Sequence, residues 1–546
     1  MKNRTLVLIV GIGALYGFLL FRVSELQLEK SGYYTARAAS EQSASAGVVM
    51  NRGTIYLTNA DGSTLPVAVD KDYPTIYAVP TAIADAAEEA NTLAPVLGES
   101  VDELQTLFSK PKDSYELLAS KADPAIAAAV TALNLPGVYV TEEPSRYYPM
   151  GTVAAQVLGY VGPNASSDGE SGHYGIESYD DATLAAGGDV TLTIDPNIQI
   201  ESEKILQNVV TANGASGGSV IVEDPRTGRI LAMAGYPTFD PNDYASSSYE
   251  NFLNPTVQDI YEPGSIFKVI TMASGIDAGK ITPDTTYDDP GTLKVGTAKI
   301  TNYDLDTHGP YGAGTTMTQV IEHSINTGAV FAENQIGNAM FEDYMKTFRV
   351  DQKTGIDLPG EVAGTINGLA PGAPQINFDT VAYGQGVAVT PIELITAIGA
   401  IANGGVMMRP YIHASATPTA IGRIISTSTA AQVAQMMVDA VDLAQVTNVN
   451  GYELAGKTGS AFIPDLVHGG YTDQLIDSYV SFGPVSDPRF ITLIRLNTLP
   501  ETSLAAESVV PASRQLSQFI INYYNIPPDR TTADVIPNCP DLICGQ

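Results

Sequence analysis

Tryptophan is absent from the 546-residue chain, cysteine occurs twice and histidine five times. Both cysteines, Cys539 and Cys544, fall in the last few residues, so no disulfide framework staples the body of the protein. A local bridge outside the reducing cytoplasm and a pair of free tail thiols are both open. His173, His308, His323, His413 and His468 are scattered without metal-ligand spacing, and we expect no metal and no cofactor. Positive charge is scarce too: 28 basic residues against 60 acidic ones leave a formal charge of -32. Phosphate binding needs clustered Lys and Arg, so no nucleic-acid partner is expected. The acidity describes a soluble, self-repelling surface and says nothing of the reaction. What remains is 44% hydrophobic and long enough for two or more folded domains.

One long apolar run stands out. Residues 5–21, TLVLIVGIGALYGFLLF, are uncharged and match the ~17–25 residues that a membrane-spanning helix needs. Lys2 and Arg4 precede the run and hold the short leading end, residues 1–4, in the cytoplasm, so the rest of the chain faces outward. The competing reading is a cleaved signal peptide, but no small-x-small site follows closely, and Ala36-Arg-Ala38 is distant and basic. We expect a single-pass, uncleaved anchor.

Residues 22–190 carry no catalytic constellation. They read as helices over 81–93, 100–109 and 123–133, strands over 48–56 and 137–141, a loop at 146–149 and a polar loop at 164–172. This part reads as a spacer. Residues 191–528 form a second body, followed by a tail at 529–546. An alternating strand over 189–195 leads to a helix over 196–211 and a hairpin, 219–223 and 229–234, around the turn Asp224-Pro-Arg-Thr-Gly228. Helices follow at 265–278, 318–324, 329–336, 341–348 and 391–403, then strands at 477–482 and 489–496 and a helix at 512–524. Strands at both ends with helices between them predict an α+β fold, one antiparallel sheet packed with helices.

Three stretches carry the chemistry. In Tyr261-Glu-Pro-Gly-Ser265-Ile-Phe-Lys268, the turn formers Pro263 and Gly264 place Ser265 in a first helical turn with Lys268 three residues on, along the same face. Ser265 reads as a nucleophile and Lys268 as its base, provided that burial and neighbouring charge depress the lysine. The same spacing also arises by chance as a solvated pair. His323-Ser324-Ile-Asn326-Thr-Gly328 offers a hydroxyl and a carboxamide, or simply a helix cap and stop. Leu454-Ala-Gly-Lys457-Thr458-Gly459-Ser460-Ala461 is a small-residue strand bearing one cation, and glycine there lets a substrate backbone approach. Lys353-Thr-Gly355 repeats the tripeptide but reads as a connecting turn.

Ser265-x-x-Lys268, Ser324-x-Asn326 and Lys457-Thr-Gly459 occur in the order found in penicillin-binding proteins and serine β-lactamases. From anchor to last helix the chain resembles a class B penicillin-binding protein. Glu262-Pro-Gly-Ser-Ile-Phe-Lys268, Thr354-Gly-Ile-Asp-Leu-Pro-Gly-Glu361, Tyr383-Gly-Gln-Gly386 with Thr390-Pro391, and Ala455 to Ala461 are similar to that family. Arg52-Gly-Thr-Ile55, Arg146 with Tyr148-Pro149, Leu158 to Gly162 and Gly175-Ile-Glu177 resemble its non-catalytic, dimerisation-type pedestal. Residues 470–490 are most similar to the cell-division transpeptidases. Two departures stand out: Leu57-Thr-Asn-Ala60 where the family tends to Asp-Arg-Asn-Gly, and Ser460 where threonine is usual.

The resemblance implies a β-lactamase/transpeptidase-like domain on an elongated pedestal and a peptidoglycan D,D-transpeptidase that cross-links stem peptides, lipid-linked or on nascent glycan, through a serine acyl-enzyme that β-lactams trap. In these terms Ser265 attacks, Lys268 takes its proton, Ser324 relays a proton to the departing D-alanine, and Asn326 holds the peptide amide and orients Lys268. Lys457 and Thr458 receive the terminal carboxylate, Gly459 admits the substrate backbone, and the N–H groups of Ser265 and Ser460 form the oxyanion hole. The implied partners are the membrane, a polytopic glycosyltransferase and other divisome proteins. The alternatives are a D,D-carboxypeptidase or β-lactamase on the same fold, and a non-catalytic divisome scaffold or β-lactam sensor.

Overall fold

The computed structural model describes residues 51–164, 169–445, 448–465 and 467–530. The expected anchor at 5–21 and both cysteines lie outside the described residues. The chain divides into two compact units. The smaller takes in Val69–Tyr147 and Ala185–Gly188, with residues 51–53. There, the stretch Val69–Ala78 of a long strand pairs antiparallel with Val138–Tyr147, and its last residues pair with Glu116–Ala119. Helices Ala86–Leu97, Val101–Phe108 and Pro124–Leu133 bury Ala90, Leu93, Leu104, Phe108 and Val130 together with Ile76. Asp85 and Asp123 cap two of these helices by accepting from free N–H groups of the first turn.

The larger unit takes in Thr54–Ala68, Tyr148–Leu184 and the chain from Asp189 on. The elements of this unit that frame the sheet and the site, in chain order, are α1 (Pro196–Asn213), β1 (Gly217–Asp224), β2 (Arg229–Tyr236), α2 (Phe267–Asp277), β3 (Thr292–Val295), β4 (Ala298–Thr301), α3 (Met317–Glu322), α4 (Asn326–Ile336), α5 (Pro391–Ala402), α6 (Thr427–Ala444), β5 (Ala455–Pro464), β6 (Tyr471–Gly483), β7 (Phe490–Pro500) and α7 (Val510–Tyr523). Five strands form one antiparallel sheet in the order β5-β6-β7-β1-β2, built from both ends of the unit as the strand pattern predicts.

Alternation along the strands gives the sheet two apolar faces. On β7, Ile491 and Leu493 join the core around α2, α4, α5 and α6, whereas Phe490, Ile494 and Leu496 join the one around α1 and α7. Helix α2 is central: every residue from Phe267 to Ile276 is buried. Helix α5 starts at a capping box in which Thr390 and Glu393 each accept from the other's backbone N–H.

Three expectations need correction, and two elements had none. The strand over 189–195 shrinks to Val190–Thr191, which pairs in parallel with Ile55–Tyr56, because Asp195 caps α1 and Pro196 opens it. Thr64–Ala78 is a strand despite Pro66 and Pro74, and the loop at 146–149 begins in strand, since Arg146 and Tyr147 end Val138–Tyr147. Glu170–His173 pairs with Tyr160–Pro163 within the stretch read as polar loop. Helix α6, eighteen residues long, had no sequence-based expectation at all.

One ion cluster in this unit ties three distant stretches. His413 presents Nδ1 at 2.5 Å to Asp357 Oδ2 and Nε2 at 2.6 Å to Asp180 Oδ2. A neutral imidazole has a single N–H, so two carboxylate acceptors require the imidazolium.

Candidate active site

The nucleophile candidate stands on a tight turn. Gly264 has φ of +56°, a conformation open to glycine at no steric cost, and Gly264–Ile266 form a 3₁₀ turn that runs into α2. Ser265 therefore precedes the α-helix and does not sit in its first turn. Three glycines press main chain against main chain here. A Cβ on Gly264 would meet the Ser460 carbonyl oxygen at 2.6 Å, one on Gly459 the Pro263 carbonyl at 2.5 Å, and one on Gly384 the Gly264 carbonyl at 2.0 Å. The Gly264 N–H donates to the Gly384 carbonyl at 3.0 Å. Ser265 is half-buried and opens, with Ser324, Asn326, Thr458 and Ser460, into a cleft of about 630 Å³.

Lys268 is fully buried on α2. Its Nζ donates to the Ser324 carbonyl oxygen and lies 3.2 Å from Ser324 Oγ, while Lys457 Nζ lies 3.1 Å from that same Oγ. Ser324 takes φ of +57°, a strained conformation for a residue with a Cβ. Both of its oxygens consequently reach Lys268. Burial first, and then the nearby charge of Lys457, hold the Lys268 ammonium well below its ordinary range, against a smaller opposing pull from Asp304. Burial alone brings Lys457 down to about 7. Both shifts favour the neutral amine over the ammonium at these two lysines.

Asn326 is the first residue of α4, and its Nδ2 donates to the Thr301 carbonyl at 2.9 Å. Lys268 hydrogen-bonds to Ser324, whereas the Asn326 amide bonds to Thr301. Behind Asn326 lies a buried hub with no sequence signal. Asp289 accepts from Thr327 Oγ1, from Asn302 Nδ2 at 3.0 and 3.1 Å, and from the N–H groups of Gly291 and Tyr311. Burial pushes this carboxyl up, but those hydrogen bonds hold it below its ordinary value. Asn302 Oδ1 in turn accepts the Thr327 N–H at 3.0 Å, fixing the start of α4.

Strand β5 lies at the edge of the sheet and carries Lys457, Thr458, Gly459 and Ser460. Ser460 is opposite Asp477, and its Oγ donates to Asp477 Oδ1 at 2.6 Å, which leaves its main chain to face the turn at Gly264. Glu262, inside the motif but given no role by sequence reasoning, accepts from the Gly386 N–H at 2.9 Å and from Tyr471 Oη at 3.1 Å. One buried carboxylate thereby joins the nucleophile turn, the Gly384–Gly386 turn and the β5–β6 hairpin. The repeat Lys353-Thr354-Gly355 forms a loop whose N–H groups donate to Glu361, and it does not line the cleft.

The profile of the penicillin binding protein transpeptidase domain matches residues 218–513, and that of the penicillin-binding protein dimerisation domain matches residues 48–188. Stage V sporulation protein D of Bacillus subtilis is 30% identical over 88% of this chain and 80% of its own. Peptidoglycan D,D-transpeptidase FtsI of Escherichia coli is 26% identical over 94% of this chain and 91% of its own. Among solved structures, penicillin binding protein 3 from Mycobacterium tuberculosis superposes with a TM-score of 0.64 at 27% identity, covering 71% of this chain and 92% of that one. With the transpeptidase profile spanning more than half of its length and the dimerisation profile ahead of it, the chain belongs to the class B penicillin-binding proteins.

Proposed function

We propose that the chain is a peptidoglycan D,D-transpeptidase, acting in septal wall synthesis and trapped by β-lactams. The observation that carries this reading is the meeting of Ser324 Oγ with two buried lysines from remote stretches, at 3.2 Å from Lys268 and 3.1 Å from Lys457, beside the half-buried Ser265. Ser265 Oγ attacks the carbonyl of the penultimate D-alanine and passes its proton to the neutral Lys268. Ser324, bridging both lysines, carries a proton to the nitrogen of the departing D-alanine. Lys457 and Thr458 receive the terminal carboxylate, and Asn326 receives the peptide amide. The N–H groups of Ser265 and Ser460 steady the oxyanion, a contribution of about 10²-fold or more in rate. An amine of a second stem peptide then attacks the ester, the new amide forms, and its proton returns Ser265 to the hydroxyl form.

Residues 5–21 anchor the chain with the N-terminus inside, residues 22–190 form the pedestal and 191–528 the catalytic domain outside the membrane. The uncharged run after Lys2 and Arg4 supports this topology. A polytopic glycosyltransferase and further divisome proteins are its expected partners. Fluorescent penicillin should label the purified protein, and Ser265→Ala should abolish labelling; labelling that survives overturns the nucleophile. With defined stem peptides, cross-linked product is expected over hydrolysed donor. Hydrolysis alone overturns transpeptidation in favour of a carboxypeptidase.

A further inference from the structure

The hairpin β3–β4 places two lysines where a ribbon tolerates them poorly. In its register Lys294 stands directly opposite Lys299. Residues so opposed have Cβ atoms about 5 Å apart, and like charges there weaken the pair. A two-stranded ribbon is marginal to begin with. Neither ammonium has a carboxylate within ion-pair reach among the described residues, and both side chains are exposed, while Ile300 on the other face is buried. Lys299 lines the catalytic cleft together with Thr301, Asn302 and Tyr303. Thr301 is two residues on, about 7 Å along the same face of the strand, and its carbonyl holds the amide of Asn326. Lys299 is therefore set beside the reaction centre, on the wall that carries Asn326, with Lys294 across the hairpin from it. The edge strand β5 serves the donor peptide, which leaves this wall to the incoming acceptor.

Charge makes the placement consequential. A protein of net charge -32 repels an anionic peptide, and an anion seated between Lys294 and Lys299 would relieve the hairpin's own repulsion. We propose that Lys294 and Lys299 form the acceptor subsite for a carboxylate group, so that the enzyme selects an acceptor stem peptide bearing a free carboxylate near its nucleophilic amine over the same peptide as a carboxamide. This rests on the transpeptidase reading above.

The test uses the full-length protein and two synthetic acceptor stem peptides that differ only in carboxylate against carboxamide, with one donor. Wild type is expected to show a lower KM for the carboxylate acceptor. In the double variant Lys294→Gln/Lys299→Gln that KM should rise about three- to ten-fold and the preference should shrink towards unity, as expected of screened charge pairs. Lys299→Arg, which keeps the charge, should retain the preference. Added salt should narrow the wild-type preference and leave the double variant unmoved. Equal KM values for the two acceptors in wild type, or an undiminished preference in the double variant, overturn the subsite while leaving transpeptidation standing. Failure of wild type to be acylated by penicillin overturns the underlying reading and the subsite with it.

Discussion

The His413 cluster makes stability depend on pH in a way the structure quantifies. Burial would lower the imidazole, but hydrogen bonds and charges from Asp357 and Asp180 outweigh it and raise the pKa from 6.5 to about 9. The rise from 6.5 to about 9 corresponds to about 3.4 kcal/mol at about 1.36 kcal/mol for each tenfold change in proton affinity. The ring keeps 17% of its side-chain exposure, so solvent screening reduces the figure to about 2 kcal/mol. The sign follows from linkage: the folded pKa lies above the unfolded one. The contribution is complete below about pH 6.5 and is lost as pH rises towards about 9. Urea unfolding followed by far-UV circular dichroism, a suitable probe for a chain without tryptophan, should show wild type losing about 2 kcal/mol across that window. In His413→Gln the glutamine cannot titrate and Asp180 and Asp357 face each other uncompensated. That variant should be less stable at pH 6.5 and lack this slope. The same slope in wild type and variant would refute the imidazolium assignment.

Two further outcomes concern the catalytic centre. Gly384→Ala puts a methyl 2.0 Å from the Gly264 carbonyl, so the nucleophile turn must shift; acylation by penicillin should fall about 10²-fold or more with far-UV dichroism retained, the loss expected of a misplaced attacking group. The acylation rate of wild type should fall as the pH drops and Lys268 gains its proton. Because the charge of Lys457 helps to depress Lys268, Lys457→Gln should move this acid limb to higher pH, and a stationary limb would show that the two lysines do not interact.

The sheet was legible because its strands are short apolar runs and its hairpin carries strong turn residues, and the order of the three motifs pointed to the centre across nearly two hundred residues. Helix α1 was equally readable from Pro196 on, although its cap, Asp195, falls inside the stretch that reads as strand. Helix α6 escaped because its apolar positions, among them Val433, Met437 and Val441, are diluted by alanine, although Ser426 marks its start as a cap. The strand through Pro66 and Pro74 escaped because proline argues against a ladder, although tertiary pairing tolerates it there. Asp289 and Asn302 had no chance of being read. Their task is defined by what they touch in space, Thr327 and the Thr301–Asn326 contact, and no local pattern encodes it.

The clasp of Gly264, Gly384 and Gly459 fixes the address of the serine without using any side chain. Ser265 is located by backbone from three separate regions of the chain, so residues that colour the cleft without joining that clasp, such as Tyr303, Gln385 and Phe462, are free to vary without moving it. Discrimination between a natural peptide and a drug can therefore drift while the chemistry stays put. Variants with altered inhibitor sensitivity and intact wall synthesis are to be sought among those lining residues, and not at the three glycines.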